Sequence, residues 1–314
     1  SNGLSVRYVQ DASIPMTRVT VAFRLGSFAD PEGKTGVVRA AFDMLNEGVD
    51  GFDALQISSE MKRLGASLSS SAGLDGGYVS INSLTRNLDE SLVFLSKALM
   101  SPTFDAEDFE RIRKTYLQNL QKTQTTPRDS SRRVLQHALY GGEYAGALST
   151  EESILALSVE DMGTWWSEHA VVDNAMVVAT GNLPFEELLP KLETGLSGMG
   201  RGNAVASPKP QVADREETEI LFLHKAGAAQ SVLRIGIDTD VAYGHEDYWA
   251  LRVANAAFGG MFMSRLNMNL REDKGYTYGA RSWTIRNYGT ERWEVSTSVR
   301  TDATAASLFE IFKE

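Results

Sequence analysis

Residues 258–278 read FGGMFMSRLNMNLREDKGYTY, and this stretch carries more structural information than any other in the chain. The sequence predicts a helix near Ser264 to Glu272, followed by strands around Tyr276 to Ile285 and around Arg292 to Val299. The two glycines at the start lack the strand-then-helix spacing of a phosphate-binding loop. The stretch therefore favours a helix–strand–strand unit and does not indicate nucleotide binding.

The elements on either side of this stretch repeat, in weak form, a pattern from the first half of the chain. Strand 231–237 and helix 248–258 precede it, and residues 295–302 followed by a helix resemble residues 79–86 followed by a helix. An internal repeat of one whole domain explains this economically, and chance similarity of strand–turn–helix units is the alternative. In a true repeat, Glu314 corresponds to a position near Lys97 or Ala98, so we expect the second domain to be incomplete.

The first half supplies the fuller copy of the pattern. Its predicted elements are strands 4–9, 19–25 and 78–84, helices 36–48, 52–64 and 88–99, and a buried strand 174–181. A long helix is predicted from Asp105, its N-cap, to about Thr123, with Asp108 in the first turn.

These elements predict an α+β fold with two homologous α/β domains, each a mostly antiparallel sheet with helices packed on one side. Residues 195–210 are rich in Gly, Ser and Pro, which is typical of a linker. We assign residues 1–200 to an N-terminal domain, 201–210 to the linker and 211–314 to a C-terminal domain.

Composition excludes several classes of function. With 42% hydrophobic and 23% charged residues, the 314-residue chain has the balance of a soluble globular protein of two domains. A net charge of −10 argues against a nucleic-acid surface, and the absence of cysteine excludes disulfides and thiolate metal ligands. No apolar run approaches the roughly 18 residues of a membrane-spanning helix.

The stretch from Gly33 to Gly48 resembles the start of the insulinase/pitrilysin family of zinc peptidases, whose corresponding helix bears H-x-x-E-H. Residues 258–278 are the most specific match, and the resemblance spans essentially the whole chain. In the family, two histidines on one helix face share a Zn²⁺, the glutamate between them is the general base, and a glutamate from a later helix completes the ligands.

The resemblance places residues without zinc chemistry at those positions. Arg39 and Asp43 stand where the histidines would be, Phe42 replaces the glutamate, and Gln118 and Asn119 occupy the region of the later glutamate. Arginine has no lone pair for a metal, and phenylalanine cannot move a proton. Asp43 alone is not a site, although it could pair with Arg39 one helical turn away. We therefore predict no metal in this chain.

The four histidines do not offer an obvious replacement. His137, His169, His224 and His245 show no i, i+4 pairing and fall in different predicted elements. A lone histidine is more often a surface or core residue than a ligand, because a metal site needs three or four converging donors. A peptidase with relocated ligands is accordingly the weakest of the alternatives.

The resemblance also implies a functional pair, Arg271 and Tyr278. In the family an arginine and a tyrosine at this spacing reach the zinc site of the opposite half. Arg271 could clamp a peptide carbonyl or carboxylate, and the Tyr278 hydroxyl could donate to a developing oxyanion. The alternative is structural: Arg271 would be a helix-terminal surface residue and Tyr278 an ordinary strand aromatic.

The zinc-binding residues of the family are missing, whereas its arginine–tyrosine pair is present, and this contrast suggests a role for the protein. The family has a half-length branch, typified by mitochondrial processing peptidase, in which one subunit carries zinc and its partner does not. The resemblance implies a non-catalytic subunit that supplies Arg271, Tyr278 and a peptide-binding surface to a zinc-bearing partner, in a heterodimer or, alternatively, a homodimer. A scaffold or peptide-binding protein without catalytic role is the second hypothesis. The compartment stays open between bacterial periplasm and cytoplasm.

Overall fold

The computed structural model describes residues 2–142, 144–206, 217–239, 241, 243–287 and 290–314. Internal packing separates the chain into two compact units: unit 1 comprises Ser1–Leu117 and Ser149–Ser207, and unit 2 comprises Gln118–Leu148 and Pro208–Glu314. Residues 118–148 thus group with the second unit, although the sequence places them in the first domain. The linker boundary stays a prediction, since 207–210 and the adjoining 211–216 lie outside the described residues.

Unit 1 is built on a five-stranded sheet in the order β1-β7-β2-β6-β5. Strands β1 and β7 are parallel and the other neighbours are antiparallel, which confirms the mostly antiparallel sheet. The strands of unit 1, including a short β3–β4 ladder, are β1 (Ser5–Gln10), β2 (Met16–Phe23), β3 (Gly48–Val49), β4 (Phe52–Asp53), β5 (Ser67–Ala72), β6 (Gly77–Leu84) and β7 (Ala175–Gly181).

The core of unit 1 lies between this sheet and its helices. Alternate residues Val19, Val21 and Phe23 on β2 point into it, as the two-residue period of a strand requires. Among the described residues up to 206, the structure has eight α-helices, of which the fourth runs from unit 1 into unit 2 and the fifth belongs to unit 2. They are α1 (Val37–Met44), α2 (Ala54–Leu64), α3 (Leu88–Met100), α4 (Ala106–Thr125), α5 (Pro127–Tyr140), α6 (Glu151–Leu155), α7 (Val159–His169) and α8 (Phe185–Leu196).

The predicted N-cap of the long helix α4 is confirmed. The Asp105 carboxylate accepts hydrogen bonds from the backbone N–H groups of Glu107 at 2.8 Å and Asp108 at 3.2 Å. These donors have no partner within the helix, so a side-chain oxygen at this position satisfies them. Helix α1 is shorter than predicted, ending at Met44, because the chain enters β3 at Gly48.

Helix α1 begins beside a half-buried carboxylate that the sequence did not reveal. Asp30 accepts hydrogen bonds from the backbone N–H groups of Gly36 and Val38, each at 2.8 Å. Gly36 has φ 105, a left-handed conformation that favours glycine. Burial raises the pKa of Asp30 to about 6, and the two backbone hydrogen bonds oppose that rise.

Unit 2 contains a three-stranded antiparallel sheet in the order β8-β10-β9. A small core of Leu266, Leu270, Ala280, Val295 and Ile311 covers one face. The elements are β8 (Gln230–Thr239), β9 (Thr277–Asn287), β10 (Thr290–Arg300), α9 (Tyr248–Asn255), α10 (Arg265–Asn267), α11 (Thr304–Lys313) and the π-helical turns Ala256–Gly260 and Met268–Asp273.

Helix α5 lies on the opposite, polar face of this sheet. It approaches β8 so closely that a Cβ atom at Gly236 would meet the Leu135 side chain at 2.8 Å. Beneath it, Glu294 is fully buried and pairs with Arg234 and with Arg292, whose Nε lies 3.1 Å from Glu294 Oε2. Burial and the nearby arginines lower the pKa of Arg234 to about 10. The buried carboxylate of Glu294 is tolerated in the interior because both guanidinium groups pair with it.

Within the described ranges, no helix combines the length and apolar composition needed to cross a membrane.

We predict that Asp30 makes the stability of the protein fall as the pH rises from about 4 to 6. Because its folded pKa of about 6 exceeds the unfolded value of 3.8, the folded state binds more protons in this window. Asp30→Asn removes this titration. Between pH 4 and 7, the unfolding free energy of the variant should therefore change by roughly 2 kcal/mol less than that of the wild-type protein. Urea unfolding at several pH values measures this, and parallel curves for the two proteins would contradict it.

Candidate functional site

Phe42, which the resemblance places at the position of the family's general base, is a core aromatic. Phe42 on α1 is completely buried, and its ring packs edge-on against Phe23 and Trp166, with centroids 5.7 and 5.1 Å away. The ring also lies over the backbone of β6, since a Cβ atom at Gly77 would come within 2.4 Å of it. The space between α1 and the sheet is thus filled by hydrocarbon.

Asp43, one residue further along α1, is held by a hydrogen bond instead of a metal. The Tyr116 hydroxyl on α4 donates to Asp43 Oδ2 at 2.5 Å, and Arg39 Nε lies 3.6 Å from the same oxygen. The Arg39 guanidinium also lies over the Tyr116 ring, 5.2 Å from its centroid. Burial, with the Asp43 charge as second cause, raises the pKa of Tyr116 well above its usual range. Tyr116 therefore stays a neutral donor.

Tyr116 was missed by the sequence interpretation, which named Gln118 and Asn119 as the residues in the region of the later glutamate. Both of those side chains are exposed in the structure, and Tyr116 reaches α1 from the preceding turn of α4. The available signal was weak. A tyrosine near the exposed polar pair is unremarkable in sequence, and only the packing of α4 shows which residue faces α1.

These residues do not fit a zinc ion. A protein zinc site needs three or four nitrogen, sulfur or carboxylate donors in a tetrahedral arrangement. Here Arg39 brings a positive charge, Phe42 brings no donor, and Asp43 is already engaged by Tyr116 and Arg39. Elsewhere in the part of the chain that the structure describes, no three His, Cys, Asp or Glu side chains gather closely enough to share a metal.

The structure gives the histidines ordinary local contacts. His169 stacks on Trp165, with ring centroids 5.0 Å apart, and its Nδ1 lies 2.9 Å from the Trp165 carbonyl oxygen. His137 Nδ1 lies 3.0 Å from the Gly146 carbonyl oxygen. His245 Nδ1 lies 3.8 Å from Asp247 Oδ2. These contacts resemble those of surface and core histidines.

The structure brings Arg271 and Tyr278 together within unit 2. Arg271 lies in the π-helical turn Met268–Asp273, and its guanidinium is 5.4 Å from the Tyr278 ring centroid and 4.6 Å from that of Phe262. Such cation–π contacts hold a guanidinium in place without neutralising it. Arg271 Nη1 also lies 3.3 Å from Glu272 Oε1, an ion pair without hydrogen-bond geometry, and Nη1 itself is buried. Tyr278 is 90% exposed, so its hydroxyl is accessible to another molecule.

Phe262, which contacts Arg271, belongs to a run of three exposed apolar side chains. Phe262 and its neighbours Met261 and Met263 are all exposed, although each is large and apolar. Flexible methionine and aromatic side chains are common on surfaces that bind peptides of varied sequence. Phe262 was not predicted as a site residue, and its place in an apolar run after two glycines was the only signal. We call Met261, Phe262, Met263, Arg271 and Tyr278 the Arg271 surface.

Comparison with known protein families assigns the chain. The model of the insulinase family, peptidase family M16, matches residues 5–150, and that of the peptidase M16 inactive domain matches residues 156–314. The protein therefore belongs to the insulinase family, as its sequence resemblance indicated.

Individual relatives are distant. A non-peptidase homolog, YmxG of Helicobacter pylori, is 22% identical over 87% of this chain, which spans 63% of that protein. Subunit 1 of the bovine (Bos taurus) mitochondrial cytochrome b-c1 complex is 26% identical over 82% of the chain, which spans 54% of it. The crystal structure of a peptidase M16 inactive domain from Pseudomonas fluorescens superposes with a TM-score of 0.89 at 23% identity, covering 99% of this chain and 76% of that one. The fold is thus that of an M16 domain.

Truncation of Phe42 should destabilise the protein strongly. Phe42→Ala removes a fully buried ring and leaves a cavity, which typically costs about 3–5 kcal/mol. Urea unfolding measures the loss. Phe309→Ala is the matched control, since Phe309 is exposed and its truncation should cost less than about 0.5 kcal/mol. Similar losses for the two variants would contradict the assignment of Phe42 to the core.

The Tyr116–Asp43 hydrogen bond should contribute more to the free energy of unfolding than the Arg39–Asp43 ion pair. A double-mutant cycle with Tyr116→Phe and Asp43→Asn should give a coupling of about 1–2 kcal/mol, because the bond is short and half-buried. The matching cycle with Arg39→Gln should give about 0.5 kcal/mol or less, because that pair is longer and Arg39 is solvent-exposed. Equal couplings would show that the ion pair, and not the tyrosine, holds Asp43.

Proposed function

We propose that this protein is a non-catalytic subunit of a heteromeric insulinase-type zinc peptidase. Its role is to supply Arg271, Tyr278 and a peptide-binding surface to a partner that carries an intact H-x-x-E-H helix. The zinc ion and the general base belong to that partner. The observation that carries the proposal is the contrast between Phe42, buried at the position of the base, and Tyr278, exposed beside Arg271.

The chemistry of the Arg271 surface supports this role. The Arg271 guanidinium lies near two aromatic rings and Glu272 and is partly exposed, so its remaining N–H donors can bind a peptide carbonyl or carboxylate. A phenol hydroxyl beside it can donate to the oxygen that becomes negative when water attacks the scissile carbonyl. The apolar side chains of Met261, Phe262 and Met263 can contact the side chains of a peptide.

The zinc locus favours a heterodimer over a homodimer. Two copies of this chain would bring together two helices that each have Phe42 at the position of the base. Neither copy could then activate water, however well Arg271 and Tyr278 were placed. A catalytic assembly therefore needs a different subunit with its own ligands and base.

A scaffold function is the second candidate. The bovine relative is a subunit of the cytochrome b-c1 complex, and the Helicobacter relative is described as a non-peptidase homolog. In this case the protein binds a partner or a peptide without taking part in hydrolysis. The two candidates differ in one respect, the dependence of peptide cleavage on Tyr278.

Mixing this protein with an insulinase-family subunit that carries H-x-x-E-H should raise peptide cleavage above that of the subunit alone. Tyr278→Phe should lower kcat of the mixture by about 100-fold, the cost of losing one oxyanion donor, with little change in subunit association. Arg271→Ala should mainly raise KM, because its role is to bind the peptide. Cleavage of a fluorogenic peptide and zinc content are measured for each chain and for the mixture.

Arg286 and Tyr243 provide a matched control pair in the same unit. The Arg286 guanidinium lies 5.3 Å from the Tyr243 ring centroid, almost the same geometry as Arg271 on Tyr278, and Tyr243 is also exposed. Arg286→Ala and Tyr243→Phe should leave cleavage unchanged. A complex that forms but cleaves no faster than the zinc subunit alone, with wild-type behaviour of Tyr278→Phe, would reject the catalytic role and favour the scaffold.

A further inference from the structure

Sulfur chemistry in this chain belongs to methionine alone, because the sequence contains ten methionines and no cysteine. All ten lie among the residues that the structure describes. A methionine thioether reacts with peroxides to form a sulfoxide, and the reaction depends on access from solvent. The methionines that react first are therefore the ones that the fold leaves exposed.

The methionines differ widely in exposure. Four are buried in the core of unit 1 and two are partly buried: Met44, Met61, Met162 and Met199, and then Met16 and Met176. Met100 and Met268 are 38% and 39% exposed, whereas Met261 and Met263 are 64% and 70% exposed. The two most exposed methionines of the chain thus stand on either side of Phe262, in the Arg271 surface.

The backbone around these two methionines is fixed by contacts on both sides. Before them, Gly259 packs against β9 with no room for a Cβ atom. After them, the Ser264 N–H donates to the Met261 carbonyl at 3.1 Å, and Asn267 Nδ2 donates to the Phe262 carbonyl at 2.8 Å. Ser264 and Asn267 are themselves buried. An anchored segment therefore holds the two thioethers outside the core of unit 2.

Oxidation changes what a methionine side chain can contact. Hydrogen peroxide transfers one oxygen atom to the thioether: its O–O bond breaks, an S–O bond forms, the sulfur is oxidised and the peroxide is reduced to water. The sulfoxide is polar and accepts hydrogen bonds, so it no longer favours contact with apolar groups. Methionine sulfoxide reductases reverse the step with two thiol groups, which become a disulfide while the oxygen leaves as water.

We propose that Met261 and Met263 form a reversible oxidation site that controls peptide binding by the Arg271 surface. In the reduced protein their thioethers extend the apolar contact area of Phe262, whose ring lies beside the Arg271 guanidinium. In the oxidised protein two polar sulfoxides replace that area, and an apolar peptide binds more weakly. The effect on binding rests on the proposed peptide-binding role of this surface, whereas the preferred oxidation of the two residues does not.

The site is tested by limited oxidation of the whole chain with hydrogen peroxide, followed by mass spectrometry of its proteolytic fragments. Met261 and Met263 should form sulfoxide about tenfold faster than the buried Met44 and Met162, because burial keeps the peroxide away from sulfur. Met100 should react at an intermediate rate. Equal rates at all five positions, or faster oxidation of Met100, would overturn the assignment of the site.

The effect on binding is measured by fluorescence polarisation with this chain alone and a fluorescein-labelled peptide of alternating leucine and serine, after the peroxide has been removed. Oxidation should weaken binding by about tenfold, the scale of the apolar contact that two methionines lose, and treatment with both methionine sulfoxide reductases should restore it. In the protein that combines Met261→Leu with Met263→Leu, peroxide should not change the affinity, because leucine has no sulfur to oxidise.

Met100→Leu is the matched control, because it removes an accessible methionine of unit 1 and should leave the response to peroxide intact. The proposal is wrong if oxidation does not change binding, if the reductases do not restore it, or if the protein with leucine at both positions loses affinity equally. Absence of peptide binding by the reduced chain also contradicts it. The proposed function is decided separately, by the dependence of peptide cleavage on Tyr278.

Discussion

The ring of Phe42 rests on the backbone of β6 at Gly77, and most of unit 1 is arranged around this contact. Any Cβ atom at Gly77 would collide with the ring, so the glycine sets how closely α1 approaches the sheet. Trp165 and Trp166 close the cluster from α7, and each is also anchored by a hydrogen bond. Trp166 Nε1 donates to the Leu99 carbonyl at 2.9 Å, and Trp165 Nε1 donates to the Ala29 carbonyl at 3.0 Å. One aromatic cluster thus fixes α1, α3, α7 and the sheet together.

This packing changes the meaning of the lost zinc site. The rings of Phe23 and Trp166 pack against position 42, so a glutamate carboxylate there would lie among aromatic side chains, which is costly for a charged group. Asp43 has likewise gained a specific donor, Tyr116, from the helix that supplies a zinc ligand in the family. At the three positions that the resemblance aligns with the zinc motif, Arg39, Phe42 and Asp43, the structure has apolar packing and a hydrogen bond.

Much of the fold could be predicted because its signals are local. Strands β2 and β6 alternate in hydrophobicity, α3 is amphipathic, and Asp105 caps α4 through its own backbone neighbours. The position of α5 over β8 could not be predicted, because it depends on a close approach at Gly236, a hundred residues from Leu135. The buried Glu294 was hidden for a similar reason. Charged residues in a strand normally indicate a solvent-facing side, and only the covering helix makes this side interior.

In the candidate site, too, some residues could be predicted from local sequence and others are evident only from tertiary contacts. The family spacing predicted Arg39, Phe42, Asp43, Arg271 and Tyr278, whose roles stay predictions, whereas Tyr116 and Phe262 emerged only from contacts between elements. The buried residue Phe42 and the exposed residues near Arg271 also differ in whether folding stability accounts for their residue type. Phe42 contributes to the core, so folding alone accounts for an aromatic there. Tyr278 buries almost none of its surface. Met261 and Met263 are mostly exposed, so they add little hydrophobic stabilisation to the fold. The packing of the described residues gives no reason for large apolar groups at these positions, and this exposure is one of the observations behind the proposal of a peptide-binding surface.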